Sequence, residues 1–281
     1  MAVKPKLGQN FLRDPQAIRR IVAAIGDLTG RTVVEIGPGK GAITEGLSAQ
    51  AGRLIAVEMD RELAWNLQER FSPEKGCPNV NVVRQDILTF DFAAAAKVAD
   101  LGGTEQNSAP SAETTPLLVV GNLPYYITSP ILLRLAANAA SLDRAVLMVQ
   151  REVADRVTAK PGSRDYGLLS VTLQLYGSTE SLFTLPPEAF SPPPEVHSTV
   201  FRWKFAPRFA SLGVEEDSFI RLLKQSFAQK RKTLSNNLRA AGHSSEKVAE
   251  TFHSTGISPQ IRAEALAVED LAAIWRVLQL P

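Results

Sequence analysis

Short apolar runs alternate with helical segments through the first half of the chain, and that order constrains the fold more than any other feature. Arg31-Thr-Val-Val-Glu-Ile-Gly37 is a β-branched run closed by glycine, which reads as a buried strand. A helix over 42–51 follows, then a second strand, Arg53-Leu-Ile-Ala-Val-Glu58, and a helix over 61–71. Further strands are expected near 80–84, 117–121 and 145–149. Strands alternating with helices in this way build parallel βαβ units with both faces of the sheet covered. Ahead of them, Asp14 is placed as N-cap and Pro15 as first residue of a helix over 14–25, with Ile18, Ile21, Val22 and Ile25 on one face.

The pattern changes twice. Residues 91–116 begin with an alanine run and continue as a Gly/Ser/Thr/Pro-rich stretch, expected to be a mobile surface insertion without chemistry. From Leu168 to Phe205 two or three extended segments are expected, split by the prolines at 186–187 and 192–194, as an antiparallel edge to the sheet. After Pro207 the pattern is helical, with segments near 215–228, 231–241, 245–253 and 268–279. The expectation is a Rossmann-like α/β sheet domain over 1–207, including an N-terminal arm, and a small all-helical domain over 208–281. A length of 281 residues suits two such domains.

Charge adds a direction. The net balance is +2, but residues 1–20 sum to +4 and residues 221–239 to +6, which leaves −8 on the rest. The second cluster holds Lys224, Lys230, Arg231 and Lys232 and no acid. Two basic clusters on an acidic body form an electrostatic footprint for a polyanion, expected to lie across a cleft between the two domains. No apolar run reaches the ~18 residues needed to span a bilayer, and the start lacks a signal-peptide core. A lone cysteine, Cys77, makes no internal disulfide, so a reducing cytoplasm is expected. His197, His243 and His253 lack metal-ligand spacing, so no metal site is expected. Trp65 and Trp275 fit helix faces and are assigned to the core, whereas Trp203 alternates like an edge-strand residue.

The glycine-rich segment Glu35-Ile-Gly37-Pro-Gly39-Lys-Gly41 falls at the first strand-to-helix turn, where glycine admits tight backbone angles and close approach of a ligand. Its Gly-x-Gly-x-Gly spacing is not the Gly-x-Gly-x-x-Gly dinucleotide fingerprint. Glu35 would repel a pyrophosphate; it suits a cationic ligand such as S-adenosylmethionine (SAM). Glu58 closes the next strand, placed to accept both ribose hydroxyls of a nucleoside, and Asp86 follows the third, placed to accept from an adenine amino group. All three positions fall at carboxyl ends of strands, where open α/β sheets bind ligands.

Val119-Val-Gly-Asn122-Leu123-Pro124-Tyr125 ends the fourth strand and is the sharpest motif. Adenine N6 is a poor nucleophile because its lone pair is delocalised into the ring. A site accepting both N6 hydrogens, from the Asn122 side-chain oxygen and the Leu123 carbonyl, favours a pyramidal nitrogen with that pair exposed. Pro124 fixes the turn and Tyr125 offers a ring for stacking, worth about 1–3 kcal/mol per base. Displacement at a methyl group then proceeds by positioning, without a strong base. Leu123, where a related loop carries proline, is also expected to leave room for a methylated N6.

With Gly8-Gln-Asn10-Phe-Leu12, Phe190-Ser-Pro-Pro-Pro-Glu-Val196 and Phe227-Ala-Gln-Lys-Arg-Lys-Thr-Leu-Ser-Asn-Asn-Leu238, these motifs resemble the small-subunit ribosomal RNA adenine N6,N6-dimethyltransferases over nearly the whole chain. The resemblance implies a SAM-dependent enzyme that dimethylates two adjacent adenosines in a hairpin near the 3′ end of small-subunit RNA, within a pre-small-subunit particle. It places SAM contacts on Asn10, Leu12, Gly37, Glu58, Asp86 and Asn122, and sets Phe190 against the target adenine opposite Tyr125. Lys224 and Lys230–Lys232 are expected on RNA phosphates, positioning without reading bases. A monomer is expected. Two other readings share the fold: a nucleic-acid-binding factor in transcription or ribosome assembly, and an adenine methyltransferase acting on DNA or large-subunit RNA.

Overall fold

In a computed structural model of the chain, residues 10–98 and 115–279 are described. The N-terminal nine residues, including Lys4, Lys6 and Gly8, and residues 99–114 of the expected insertion lie outside them. The strands are β1 (Phe11–Leu12), β2 (Thr32–Ile36), β3 (Arg53–Glu58), β4 (Val80–Arg84), β5 (Leu117–Asn122), β6 (Leu142–Gln150), β7 (Gly177–Leu185), β8 (Phe190–Ser191) and β9 (Ser198–Phe205). The helices are α1 (Pro15–Ile25), α2 (Ala42–Ser48), α3 (Arg61–Arg70), α4 (Phe92–Val98), α5 (Thr128–Ala137), α6 (Arg151–Val157), α7 (Leu168–Leu175), α8 (Phe209–Leu212), α9 (Glu216–Ser226), α10 (Leu234–Ala240), α11 (Ser245–Thr255) and α12 (Val268–Gln279).

Seven strands form one sheet in the order β4-β3-β2-β5-β6-β9-β7. The run from β4 to β6 is parallel, and β9 pairs antiparallel with β6, Leu147 opposite Phe201. The chain proceeds outward from β2 through β3 to β4 and then returns to β5 on the other side of β2. A crevice therefore opens at the carboxyl ends of β2 and β5, the switch point at which such sheets bind ligands. All five residues of β2 are buried, as a central strand covered on both faces requires. Gly121 makes the β2–β5 approach practicable, because a Cβ there would lie 2.8 Å from the Ile36 carbonyl oxygen.

The Asp14 side chain accepts from the Gln16 and Ala17 amides and starts α1, whose Ala17, Ile21, Val22 and Ile25 join an apolar cluster with Val33, Leu118 and Val146. Asp60 caps α3 in the same way. The alanine run of 91–116 is helical, as α4.

Three expectations are corrected. Residues 168–175 form a helix, not an extended segment: Ser170 Oγ accepts from the Gly167 amide at 3.1 Å, and Ser170, Val171, Thr172, Leu173 and Leu175 are all buried. A helix apolar on nearly every side shows no amphipathic period by which to recognise it. Trp203 is wholly buried, because β9 lies between β6 and β7 instead of at the edge, which leaves no ring face for stacking on RNA. Trp65 is 60% exposed, since the buried stripe of α3 runs through Ala64 and Leu67.

The chain divides into two compact units, one of residues 1–154 and 180–205, the other of residues 155–179 and 206–281. The second begins its C-terminal part at 206 instead of 208, and it also takes in α7, which the sequence had assigned to the sheet. Within it, Tyr176 donates to Glu216 Oε1 at 2.6 Å, and the Tyr166 and Phe227 rings meet edge to face. Glu215, Thr233 and Ser244 cap α9, α10 and α11 with their side chains. Among the described residues no helix is long and apolar enough to cross a membrane.

Candidate active site

At the carboxyl end of β2 the chain turns through Gly37, Gly39 and Gly41, all with positive φ, into α2. This turn is tied to the neighbouring strand by its amides: Gly37 N–H donates to the Val57 carbonyl at 3.0 Å, and Gly39 N–H to Glu58 Oε2 at 3.1 Å. Glu58 Oε1 accepts from the Asp60 amide at 2.9 Å. Both oxygens of this buried carboxylate are thus oriented by the main chain, and each keeps a lone pair for a ligand donor. Burial raises the Glu58 carboxyl above its ordinary range, and the amides of Asp60 and Gly39 oppose that shift.

Glu35 is 1% exposed, and its Oε2 accepts from Thr44 Oγ at 2.7 Å, which ties β2 to α2 beneath the turn. Burial pushes its carboxyl up to about 7, with Thr44 opposing and the Glu58 charge adding to the rise. Asp86, half-buried after β4, spends one oxygen on the Leu88 amide at 2.9 Å.

Asn122 ends β5 opposite this turn. Its Nδ2 donates to the Asn10 carbonyl at 3.0 Å, and its Oδ1 has no partner among the described residues. The segment holding Asn10 is fixed by β1, which pairs antiparallel with β8, Leu12 opposite Phe190. No spacing or pattern marks out Phe11 in advance: its ring lies against Gly39, and Lys40 Nζ stands 4.7 Å from the ring centroid. Leu12 is buried in the apolar cluster, so its side chain is committed to packing.

Two residues differ from expectation. Phe190 is 1% exposed within the same cluster, so it presents no face to a base. Leu123 is also 1% exposed, its amide donates to the Met148 carbonyl at 2.9 Å, and its side chain packs towards Gly121. It therefore lines no space for a methylated N6. Pro124 is extended at φ −60°, and its carbonyl accepts from Thr128 Oγ at 3.0 Å. Tyr125 is half-buried, its hydroxyl 3.0 Å from Ser198 Oγ. Ser198, fully buried at the start of β9, is a partner that no sequence motif announced.

The cradle presents acceptors, Glu58, Asp86 and Asn122 Oδ1, with the buried Glu35 beneath them, and beside Gly37 a Cβ would meet only the Asn122 carbonyl at 4.0 Å. Such a set fits a ligand rich in donors and carrying positive charge, as the amino group, ribose and sulfonium of SAM do.

In the helical unit, the turn between α9 and α10 carries Lys230, Arg231 and Lys232, all exposed, as is Lys224 on α9. Asn237 pins that turn from beneath, its Nδ2 donating to the Ser226 carbonyl at 2.7 Å.

A family model described as ribosomal RNA adenine dimethylase matches residues 1–280. The chain belongs to this family. A ribosomal RNA small subunit methyltransferase A from Acidobacterium capsulatum is 55% identical over 276 residues, covering 98% of this chain and 91% of the relative. Another so named, from Koribacter versatilis, is 49% identical over 278 residues, covering 99% and 95%. A solved dimethyladenosine transferase from Plasmodium falciparum shares the fold, with a TM-score of 0.75 at 22% identity over 94% of this chain and 95% of that one. As a member of this family, the chain is an enzyme that takes its methyl group from SAM.

Proposed function

We propose that the enzyme forms N6,N6-dimethyladenosine at two adjacent adenosines in a hairpin near the 3′ end of small-subunit ribosomal RNA, acting as a monomer in the cytoplasm during ribosome biogenesis. The observation that carries the site assignment is the Asn122 amide. With Nδ2 committed to the Asn10 carbonyl, Oδ1 is the atom left to accept from an adenine amino group. The small-subunit choice follows the relatives' names, whereas the loop geometry would serve other adenine substrates equally.

SAM, when bound, supplies a methyl group activated by its sulfonium. Glu58 and Asp86 would hold hydroxyl and amino donors of the cofactor, and the buried Glu35, its carboxyl raised to about 7, would take up its negative charge beneath the glycine turn as the positively charged ligand binds. On the substrate side, Asn122 Oδ1 and the Leu123 carbonyl accept the two N6 hydrogens in the first transfer, so the nitrogen lone pair leaves conjugation with the ring. The single hydrogen left on a monomethylated N6 needs only one of them, and the proton N6 sheds at each transfer passes to solvent. Tyr125, anchored through Ser198, holds the base by stacking. No strong base is needed, because the rate comes from orientation and from acceptors set before the reaction. Lys224 and the turn at 230–232 neutralise phosphates.

The test is incubation with labelled SAM and under-methylated small subunits, followed by digestion and identification of the labelled nucleoside. N6,N6-dimethyladenosine is the expected product. Label on large-subunit RNA alone, or none on adenosine, would overturn the reading.

A further inference from the structure

The turn that carries the reactive loop holds a second tyrosine that the mechanism does not use. Tyr126 is 59% exposed, and its side chain makes no hydrogen bond and no ring contact among the described residues. Its neighbour Tyr125 is half-buried and tethered to Ser198. Both lie in one 3₁₀ turn, Tyr125–Ile127, held from within by the Ile127 amide and Thr128 hydroxyl on the Pro124 carbonyl. A 3₁₀ turn has about three residues per turn, so consecutive side chains diverge by roughly 120°. The two rings therefore cannot grip one base, and whatever Tyr126 meets is a different group from the one Tyr125 meets.

We infer that Tyr126 is a stacking platform for the nucleotide next to the target adenosine. This rests on the assignment of Asn122–Tyr125 as the base-binding loop. Given that assignment, continuity of the RNA strand decides what Tyr126 meets. The substrate is a polynucleotide, so the strand that delivers an adenosine to Tyr125 must continue past the rim of the same loop. Consecutive Cα atoms are only ~3.8 Å apart, which puts Tyr126 on that path. Sequence-specific RNA recognition works on unstacked single-stranded bases, and an aromatic ring accepts the face of any base without reading its edge. A loop base drawn away from its neighbour needs a replacement stacking surface, which Tyr126 supplies. Val196, 42% exposed, and the exposed His197 lie at the entry to β9 beside Ser198, so apolar surface and a hydrogen-bonding ring are available on the strand side of the same loop. A protein partner could also use an exposed tyrosine, but nothing about a protein surface ties it to this one position beside the reactive loop.

The test uses the full chain saturated with S-adenosylhomocysteine, so that no methyl is transferred. The probe is a hairpin RNA with two adjacent adenosines in its loop and 2-aminopurine at a nucleotide flanking them, placed on either side in separate preparations. In one of the two preparations the wild type and Tyr126→Phe should quench the probe, since Phe keeps the ring. Tyr126→Ala should leave the probe bright and bind the RNA about 5- to 100-fold more weakly. In turnover with the unmodified hairpin, KM should rise for the Ala variant and recover with Phe, while kcat changes less than about threefold. Equal quenching by the Ala variant overturns the inference, as does a fall in kcat at unchanged KM. So does a defect seen on the ribosomal particle but not on the naked hairpin, which would mean a protein contact. Wild-type failure to dimethylate adenosine sinks the underlying assignment instead, whereas a methylating wild type matched by Tyr126→Ala in every readout sinks only the role of Tyr126.

Discussion

The Asn122 side chain joins the end of β5 to the Asn10 main chain, 112 residues earlier, through a 3.0 Å hydrogen bond from Nδ2 to the Asn10 carbonyl. One amide thus ties the N-terminal segment to the end of β5 and leaves its oxygen available for the proposed substrate contact. Because an aspartate keeps the acceptor but loses the donor, Asn122→Asp separates the two roles. It sets a carboxylate against the Asn10 carbonyl, costing about 1–3 kcal/mol. Both SAM affinity and kcat should fall roughly 10- to 100-fold, by calorimetry and product assay respectively. Asn122→Ala, which loses the acceptor as well, should fall further in kcat. Equal kcat for the two variants would remove the acceptor role.

The bond between Tyr125 and Ser198 places the ring proposed to stack on the base under the control of a residue in β9. Tyr125→Phe and Ser198→Ala each delete it, and Ser198→Ala leaves a small gap in a fully buried position. Each variant should lose about 1 kcal/mol of stability, a Tm drop near 2–4 °C for a chain of this size. Each should lower kcat/KM several-fold, and the double variant should be little worse than the singles. Additive losses across the double-mutant cycle would mean the two groups act separately.

Glu35 gives the stability curve a sign. Its carboxyl titrates near 4.5, the ordinary glutamate value, when unfolded and at about 7 in the fold, so between those pH values the folded state holds the extra proton. Stability therefore falls as pH rises from about 4.5 to about 7, by on the order of 3 kcal/mol. Glu35→Gln, which cannot ionise, should flatten this part of the Tm profile and gain on the wild type above pH 7. A parallel profile for both proteins would show that the carboxyl is not held protonated by burial. Positive charge on a bound ligand lowers such a carboxyl again, so the Gln variant should also lose the rise in SAM affinity with pH while binding neutral S-adenosylhomocysteine with little pH dependence.

The parts of this design that were legible in the sequence are those encoded locally. Asp14-Pro15 announces α1 because cap and first turn are neighbours, and the Gly37–Gly41 turn is marked by residues that only a tight strand-to-helix passage requires. The parts that were not legible arise across the chain. Ser198 was invisible because its partner lies 73 residues away, Phe190 read as an available ring until the apolar cluster enclosed it, and Trp203 read as an edge-strand residue until the sheet order set β9 between β6 and β7. Trp65 fails differently: it lies one residue, about 100° around the helix, from Ala64, and so the stripe passes it by.

Leu123 sets a constraint on the loop itself. Its amide donates to the Met148 carbonyl at 2.9 Å, which fastens the reactive loop to β6. Proline has no such donor, so Leu123→Pro should cost about 1–3 kcal/mol and lower activity for a structural reason. Leu123→Ile keeps the donor and the volume and should retain N6,N6-dimethyladenosine as product. Loss of the second methyl in the Ile variant, with its Tm unchanged, would return the side chain to a part in product control.

The basic turn after α9 is a separable device. Lys230, Arg231 and Lys232 are exposed and form no ion pair among the described residues, so replacing all three with Ala should change stability by less than about 0.5 kcal/mol. If each contacts one phosphate, the slope of log K against log salt for RNA binding should become shallower by about 2–3. Binding should weaken for any RNA of similar length, because phosphate contacts carry no base information. Filter binding at several salt concentrations measures the slope, and a weakened but parallel line would assign the loss to an altered turn. Asn237→Ala is the matching control. It releases the turn from the Ser226 carbonyl while leaving every charge in place, so it should weaken binding and cost stability together.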